Sequence, residues 1–294
     1  MKNDYPITEL CVAFEVSPSG YYAHQQRQAH PGPRAQEDAT LTTQITIAFA
    51  RSHGTYGAPR IQAELRKPDT PEPSRKRIAR LMREAHLSGR GRRRYKVKTT
   101  DSNHPGPIAA NHLNGNPKPT GPNQIWRTDI TYIETEESWL YLCSIQDEYS
   151  RKQVGWAMSE EIDTALVLEA LAMAKATRKP QPGLIIHSDR GSQYASEAYR
   201  GKLSEMKAIP SMSRRANCYD NAAMESFWST LKLERVYREK YKTKEQARAR
   251  VHEYLCYYNQ TRRHSALGYQ SPLDYGKRPF WCVRILGAGP RLLG

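Results

Sequence analysis

The chain has 294 residues, 38% of them hydrophobic, which is enough for one well-packed core plus one or two small modules. Its 45 Lys and Arg against 30 Asp and Glu leave a net charge of +15, and a surplus that large favours a polyanionic partner through counterion release. No run of 18 apolar residues occurs, the N-terminal stretch has no signal-peptide pattern, and the five cysteines never stand in CxxC spacing. These features exclude a transmembrane helix and argue against secretion, a disulfide framework and a zinc site. The expectation is a soluble, cytoplasmic, basic protein; composition alone does not separate DNA, RNA and an anionic membrane as its partner.

In chain order, residues 1–36 contain ITELCVAFEVSPSGYYAHQQ, a short and weakly marked helix-turn-helix-like segment. Residues 37–100 carry two amphipathic segments, DATLTTQITIAFARSH and PRIQAELRK, joined by a GTYGAP turn. A third helix, SRKRIARLMREAHL, has Ser74 as N-cap, an apolar stripe of Ile78, Leu81, Met82 and Ala85, and Gly89 at its end. From Ser74 to Lys98 there are eleven Lys or Arg and a single acid, Glu84. This one-sided charge continues into the arm RGRRRYKVK, so Arg75, Lys76, Arg77, Arg80, Arg90, Arg92, Arg93, Arg94, Lys96 and Lys98 are read as DNA contacts. The alternative is a solvated basic face on a helical hairpin. Residues 101–122, rich in Pro, Gly and Asn, have no hydrophobic period and read as a linker.

The pattern then changes to strands. IWRTDITYIE, SWLYLCSIQDEY and KQVGWAMS suit an antiparallel meander. TALVLEALAMAKATR is a helix, with Leu166, Leu168, Leu171 and Ala172 on or near its buried face. PGLIIHSD is a buried strand that pairs in parallel through that helical crossover. Helices over ASEAYRGKLSEMKA, DNAAMESFWSTLKLERVY (capped by Asp220 or Asn221) and TKEQARARVHEYLCYYNQ follow. This order over residues 123–275 is that of an RNase H-like α/β core, a mixed sheet with helices. The tail, 276–294, is oddly apolar and has no assigned role.

Phosphoryl transfer with two hard cations needs carboxylates that converge from rigid elements. Asp129 lies inside the first strand, Asp189 ends the later strand, and Glu225 stands in the first turns of the long helix. An acid within an apolar strand is costly unless paired or metal-bound, so Asp129 is the most unusual of the three. Asp147, Asp163, Asp220, Glu134 and Glu234 compete, and the residues alone do not eliminate them.

The segments WRTDITYIE, HSDRGSQY, SRRANCYDNAAMESFWSTLKLE and YNQTRRHSALGYQSP, in this order, resemble the insertion sequence 3 family of bacterial transposases. That family shares the catalytic core of retroviral integrases. Between Asp189 and Glu225 lie 35 residues, the family's spacing between its second Asp and its Glu. TYGAPRIQAELR and RKRIARLM resemble the family's helix-turn-helix. The resemblance implies that Asp129, Asp189 and Glu225 are the catalytic, metal-binding residues, holding two Mg²⁺ (or Mn²⁺) ions. It also implies that Lys232, two helical turns after Glu225, approaches the DNA end. Ser188 and Gln193 flank the second Asp, where they either orient it or touch the scissile region. Asn217, Tyr219 and Asn221 match the motif before the Glu, where helix capping explains them equally well. Arg262 and Arg263, in the terminal motif with Tyr258, Asn259, His264 and Ser265, either bind phosphate or pack against the core.

The implied activity is strand cleavage at an element's ends followed by attack of the freed 3′-hydroxyl on another phosphodiester, by way of a circular intermediate. The implied partners are double-stranded DNA, namely terminal inverted repeats and target, and further copies of the chain pairing two ends, in a bacterial, nucleoid-associated setting. An upstream frameshift-fused DNA-binding segment is a further possible partner. Two rivals stand beside this reading. A tyrosine recombinase would use Arg262, His264 and Tyr269 without metal, and a repressor would bind DNA without chemistry.

Overall fold

The computed structural model describes residues 5–68, 70–89, 106–114, 118–214 and 221–277. They divide into two compact units, Met1–Gly89 and Arg90–Gly294. The predicted DNA contacts Arg90, Arg92, Arg93, Arg94, Lys96 and Lys98 lie outside the described residues, as do Asn217, Tyr219, Asp220 and the tail from residue 278. Among the described residues no helix is long and apolar enough to cross a membrane.

The first unit is helical: α1 (Ile7–Ala13), α2 (Pro18–Ala29), α3 (Pro33–Arg51), α4 (Ala58–Leu65) and α5 (Arg75–Glu84). Leu41, Ile45 and Ala48 of α3, Ile61 of α4 and Ile78, Leu81 and Met82 of α5 form one apolar cluster with Tyr56. Ser74 caps α5 as expected, its hydroxyl accepting from the Arg77 N–H at 3.2 Å. The helix stops at Glu84, and His86 takes the left-handed turn (φ 55°). Gly89 does not end the helix. It lies against the backbone of Gly57, where a Cβ would come within 2.5 Å of the Gly57 nitrogen. The expected boundary between 36 and 37 falls inside α3, because Pro33 opens that helix three residues earlier. By contrast α1 buries only Cys11 and α2 buries nothing.

The second unit is built on a five-stranded sheet. Strands β1 (Ile125–Glu134), β2 (Trp139–Asp147) and β3 (Gln153–Ser159) form the expected meander. After α6 (Thr164–Arg178), β4 (Ile185–Ser188) pairs with β1 in parallel, as the crossover reading requires. Helices α7 (Ser192–Ala195) and α8 (Glu197–Glu205) lead to a fifth strand, β5 (Ile209–Met212), absent from the sequence reading. Four residues with a proline among them give no alternating pattern, and β5 has its partner only on β4. The sheet order is β3-β2-β1-β4-β5.

The sheet separates two apolar layers. One face packs Trp126, Cys143 and Ile145 against α6, through Leu166, Val167, Ala170, Leu171 and Ala174. Val167 and Ala174 replace the expected Ala172, which is exposed. Gly155 allows the approach, since a Cβ there would meet the Ala170 carbonyl oxygen at 2.3 Å. The other face packs Ile133, Leu140 and Leu142 against α9 (Ala222–Glu234) and α10 (Lys244–Gln260). A short helix, α11 (Pro272–Gly276), closes the described chain. Part of the predicted linker is bound to this core. Leu113 is buried, and the His112 N–H donates to Ser211 Oγ at 3.0 Å.

Candidate active site

Alternation along β1 sends Trp126 and Ile130 toward α6, and Arg127, Asp129 and Ile133 toward α9. Asp129 thus points its carboxylate at the helix that carries Glu225. Trp228, one turn after Glu225 on α9, donates from Nε1 to Asp129 Oδ2 at 2.9 Å. The backbone N–H of Ile130 donates to Oδ1 at 3.0 Å. Asp189 follows directly on β4, the parallel neighbour of β1, and its Oδ1 accepts the Gly191 N–H at 3.0 Å. A Cβ on Gly191 would stand 3.2 Å from that oxygen and 2.7 Å from Gln193 Oε1. Ser188 Oγ donates to the Asp189 carbonyl (2.8 Å), so it braces the turn and leaves the carboxylate to Gly191. Gln193 donates to the Ile162 carbonyl at 3.4 Å. Glu225 is exposed on the first turn of α9, whose N-cap Asn221 makes no side-chain capping bond.

The three acids share one electrostatic neighbourhood. Burial, then the Asp189 charge, push the Asp129 carboxyl up to about 7; the Glu225 charge adds to this, and the Trp228 and Ile130 bonds oppose it. Lys232 lies half-buried on α9, its Nζ 4.2 Å from the centroid of the Tyr132 ring. Burial holds its ammonium below the ordinary lysine range, and the charge of Asp129 counters that in part. Hard carboxylate oxygens in mutual repulsion are a donor set that suits a divalent cation. The carboxylates are not drawn into a finished coordination shell, since among the described residues no three His, Cys, Asp or Glu side chains form one.

Three of the competing acids have other work, and Glu134 is exposed on β1. Asp163 caps α6 through the Leu166 N–H (2.9 Å), and buried Asp147 accepts from the Ser150 and Asn123 backbones. Glu234 is buried in a two-pronged ion pair with Arg262, both contacts 2.7 Å, and also accepts from Tyr254. This corrects the reading of Arg262 as a phosphate ligand. The side chain is 2% exposed and its charge is already matched, so it packs the terminal motif against α9. Asn259 does the same toward β3 through both Gln153 backbone groups, each at 2.9 Å. His264 bonds the Tyr258 hydroxyl at 2.9 Å. Arg263 stays half-buried, one Nη donating to the Tyr269 carbonyl at 3.0 Å.

In the helical unit Arg75 and Lys76 are exposed, whereas Arg77 and Arg80 both bind Asp38 at 2.6 Å and reach Glu37 and Glu84 as well. The basic run therefore contains two residues that fasten α5 to α3.

Trp228 is the site residue that sequence reasoning missed. Its indole stands on an otherwise apolar helix face, and spacing gives no sign that its N–H aims at Asp129. Trp228→Phe keeps the ring packing and removes the donor. The expected result is a rate loss of about 10- to 100-fold with an unchanged fold, measured as strand cleavage alongside circular dichroism.

Comparisons with known proteins bear on the family. Residues 119–218 and 207–272 match models described as integrase core domain, and residues 35–95 match an HTH-like domain. The chain is 43% identical over 270 residues to an uncharacterized 31 kDa protein of insertion element IS600 from Shigella sonnei, covering 92% of this chain and 98% of that one. It is 37% identical over 273 residues to the transposase InsF of insertion sequence IS3A from Escherichia coli strain K12, covering 92% and 94%. A chain of a simian T-cell lymphotropic virus intasome superposes on 80% of it over 75% of its own length, at 13% identity and a TM-score of 0.49, a likeness too slight to add weight. With relatives this similar along nearly their whole length, and with integrase core domain matches over its second unit, the chain belongs to the IS3 family of transposases.

Proposed function

We propose that Asp129, Asp189 and Glu225 hold two Mg²⁺ (or Mn²⁺) ions and carry out DNA strand cleavage and joining at the ends of an insertion sequence. The observation that carries this reading is the placement of Asp129 on β1 and Asp189 at the end of its parallel neighbour β4, with Trp228 of the helix that carries Glu225 bonded to Asp129. Burial and both other acids raise the Asp129 carboxyl, so it is poised to gain from a cation. Such ions, when bound, would activate the attacking oxygen and stabilise the leaving one. The chain's own part is to hold the carboxylates. Trp228 and the Ile130 N–H fix the rotamer of Asp129, Gly191 fixes Asp189, and α9 brings up Glu225. Water is the first nucleophile and the freed 3′-hydroxyl the second, each attacking a phosphodiester in line, with a circular intermediate between them.

Terminal repeats and target DNA are the proposed partners, with several copies of the chain pairing two ends. Lys232 and Arg263 lie toward the DNA in this proposal, with Arg75 and Lys76 on the helical unit. Replacing Arg75 and Lys76 together by Ala is expected to weaken binding to all sequences alike. The slope of log K against log salt should fall by about 0.9 per lost phosphate contact, with thermal stability unchanged. Arg77→Ala should instead lower the melting temperature of the helical unit, because it opens the Asp38 junction.

Cleavage of a labelled duplex carrying the element's terminal repeat, in Mg²⁺ and in EDTA, tests the reaction class. Activity confined to Mg²⁺ is expected. Activity in EDTA, or a covalent protein–DNA adduct, contradicts the proposal; buried Arg262 already weighs against the tyrosine-recombinase alternative.

A further inference from the structure

Beside the carboxylates, on the same face of the sheet, lies a cavity of about 280 Å³ that the reaction just described does not use. Arg127 and its β2 partner Gln146 supply one wall, two residues along β1 from Asp129. Ala223 and Phe227 of α9, on either side of Glu225 in sequence, supply the facing wall. Glu148, Arg151, Ser226, Tyr258 and His264 complete the polar part of the lining.

The lining is selective in its chemistry. Gln146 is 1% exposed, and its amide oxygen is buried with no hydrogen-bond partner. A buried acceptor without a donor is costly, and the great majority in folded proteins are satisfied. The arginines do not make this an anion site. Arg127 donates to Glu148, and Arg151 pairs with the same carboxylate at 3.2 Å, so a phosphate would meet a negative charge along with two already matched positive ones. A neutral ligand with flat apolar faces and an N–H on its edge fits the Phe227 and Ala223 walls and the Gln146 oxygen together.

We propose that this cavity receives an unpaired nucleobase extruded from the DNA end, with a base N–H donating to Gln146 Oε1. The inference rests on the strand-transfer reading, since it is the DNA held at the carboxylates that brings a base within reach. Extrusion costs unpairing and unstacking energy, and that cost is least for a base already mismatched.

Affinity measured by fluorescence anisotropy in EDTA, on terminal-repeat duplexes with a single mismatch moved through the positions around the cut, tests the proposal. Wild type is expected to bind one mismatch position about tenfold or more tighter than the matched duplex. Ala223→Phe, which fills the cavity, and Gln146→Met, which keeps size and removes the acceptor, should both abolish that preference. Their affinity for the matched duplex and their urea midpoints should stay close to wild type. A wild type indifferent to every mismatch overturns the proposal, as does a preference that survives in both variants. Cleavage in Mg²⁺ is read separately on the same preparations. A wild type that cleaves but ignores mismatches loses the base pocket and keeps the strand-transfer reading. A wild type that prefers the mismatch through Gln146 but never cleaves keeps the pocket and loses that reading.

Discussion

In metal-free buffer the protein is expected to lose stability as pH rises from about 4 to about 7, and Asp129→Asn is expected to remove most of that loss. The Asp129 carboxyl is pushed from 3.8 to about 7 by burial and by the charges of Asp189 and Glu225. Between those values the unfolded chain has released its proton while the folded chain still holds it. The folded state binds more protons across that window, so stability falls with pH there and levels off above about 7. The penalty at pH 8 is at most about 4 kcal/mol, at roughly 1.4 kcal/mol for each tenfold change in proton affinity. Urea unfolding at pH 5 and pH 8 in EDTA, for wild type and Asp129→Asn, isolates this contribution as the difference between two profiles. Mg²⁺ should restore wild-type stability at pH 8 and do little for the variant. Parallel profiles for the two proteins would mean that the carboxyl is not strained by its neighbours. The variant should also be inactive while more stable at pH 8, because the group that costs folding energy is the one proposed to hold the ion.

The second large effect is on folding alone. Arg262→Met is expected to cost about 3–5 kcal/mol, because it leaves the Glu234 carboxylate buried without its partner. Glu234→Leu should cost a similar amount by stranding the guanidinium. The double variant Arg262→Met/Glu234→Leu should recover most of the loss, since a buried ion pair exchanged for apolar side chains is often neutral in stability. A double-mutant cycle from urea midpoints reads this directly. Equal and additive losses would show that the two residues act apart. A loss of DNA affinity without loss of stability in Arg262→Met would return Arg262 to the phosphate-binding role its motif first indicated.

Much of the catalytic unit was legible in the sequence because strong periodic signals coincide with buried layers. The meander strands alternate about a sheet with two covered faces, and α6 carries apolar residues on the side that Gly155 admits. β5 was not legible, because it is short, carries Pro210 and depends on β4 for its pairing. The positions of the three acids came from motif and spacing. Their mutual strain did not, because repulsion depends on which strands are neighbours, and local pattern does not specify that β1 lies beside β4. Charge in sequence was the least reliable guide. Arg77, Arg80 and Arg262 all stand in basic runs, yet each is held by an acid distant in sequence, Asp38 or Glu234. The same limit hid Trp228, whose partner lies 99 residues away.

The most direct measurement is strand cleavage and joining on a labelled terminal-repeat duplex, comparing wild type with Glu225→Gln in Mg²⁺. Glu225 is exposed, so the substitution leaves the fold intact, which circular dichroism verifies. Wild-type cleavage and joining, with both falling by about 10³-fold or more in Glu225→Gln, is the predicted result. A folded Glu225→Gln protein that cleaves and joins at the wild-type rate would contradict the assignment of the three carboxylates as the catalytic centre.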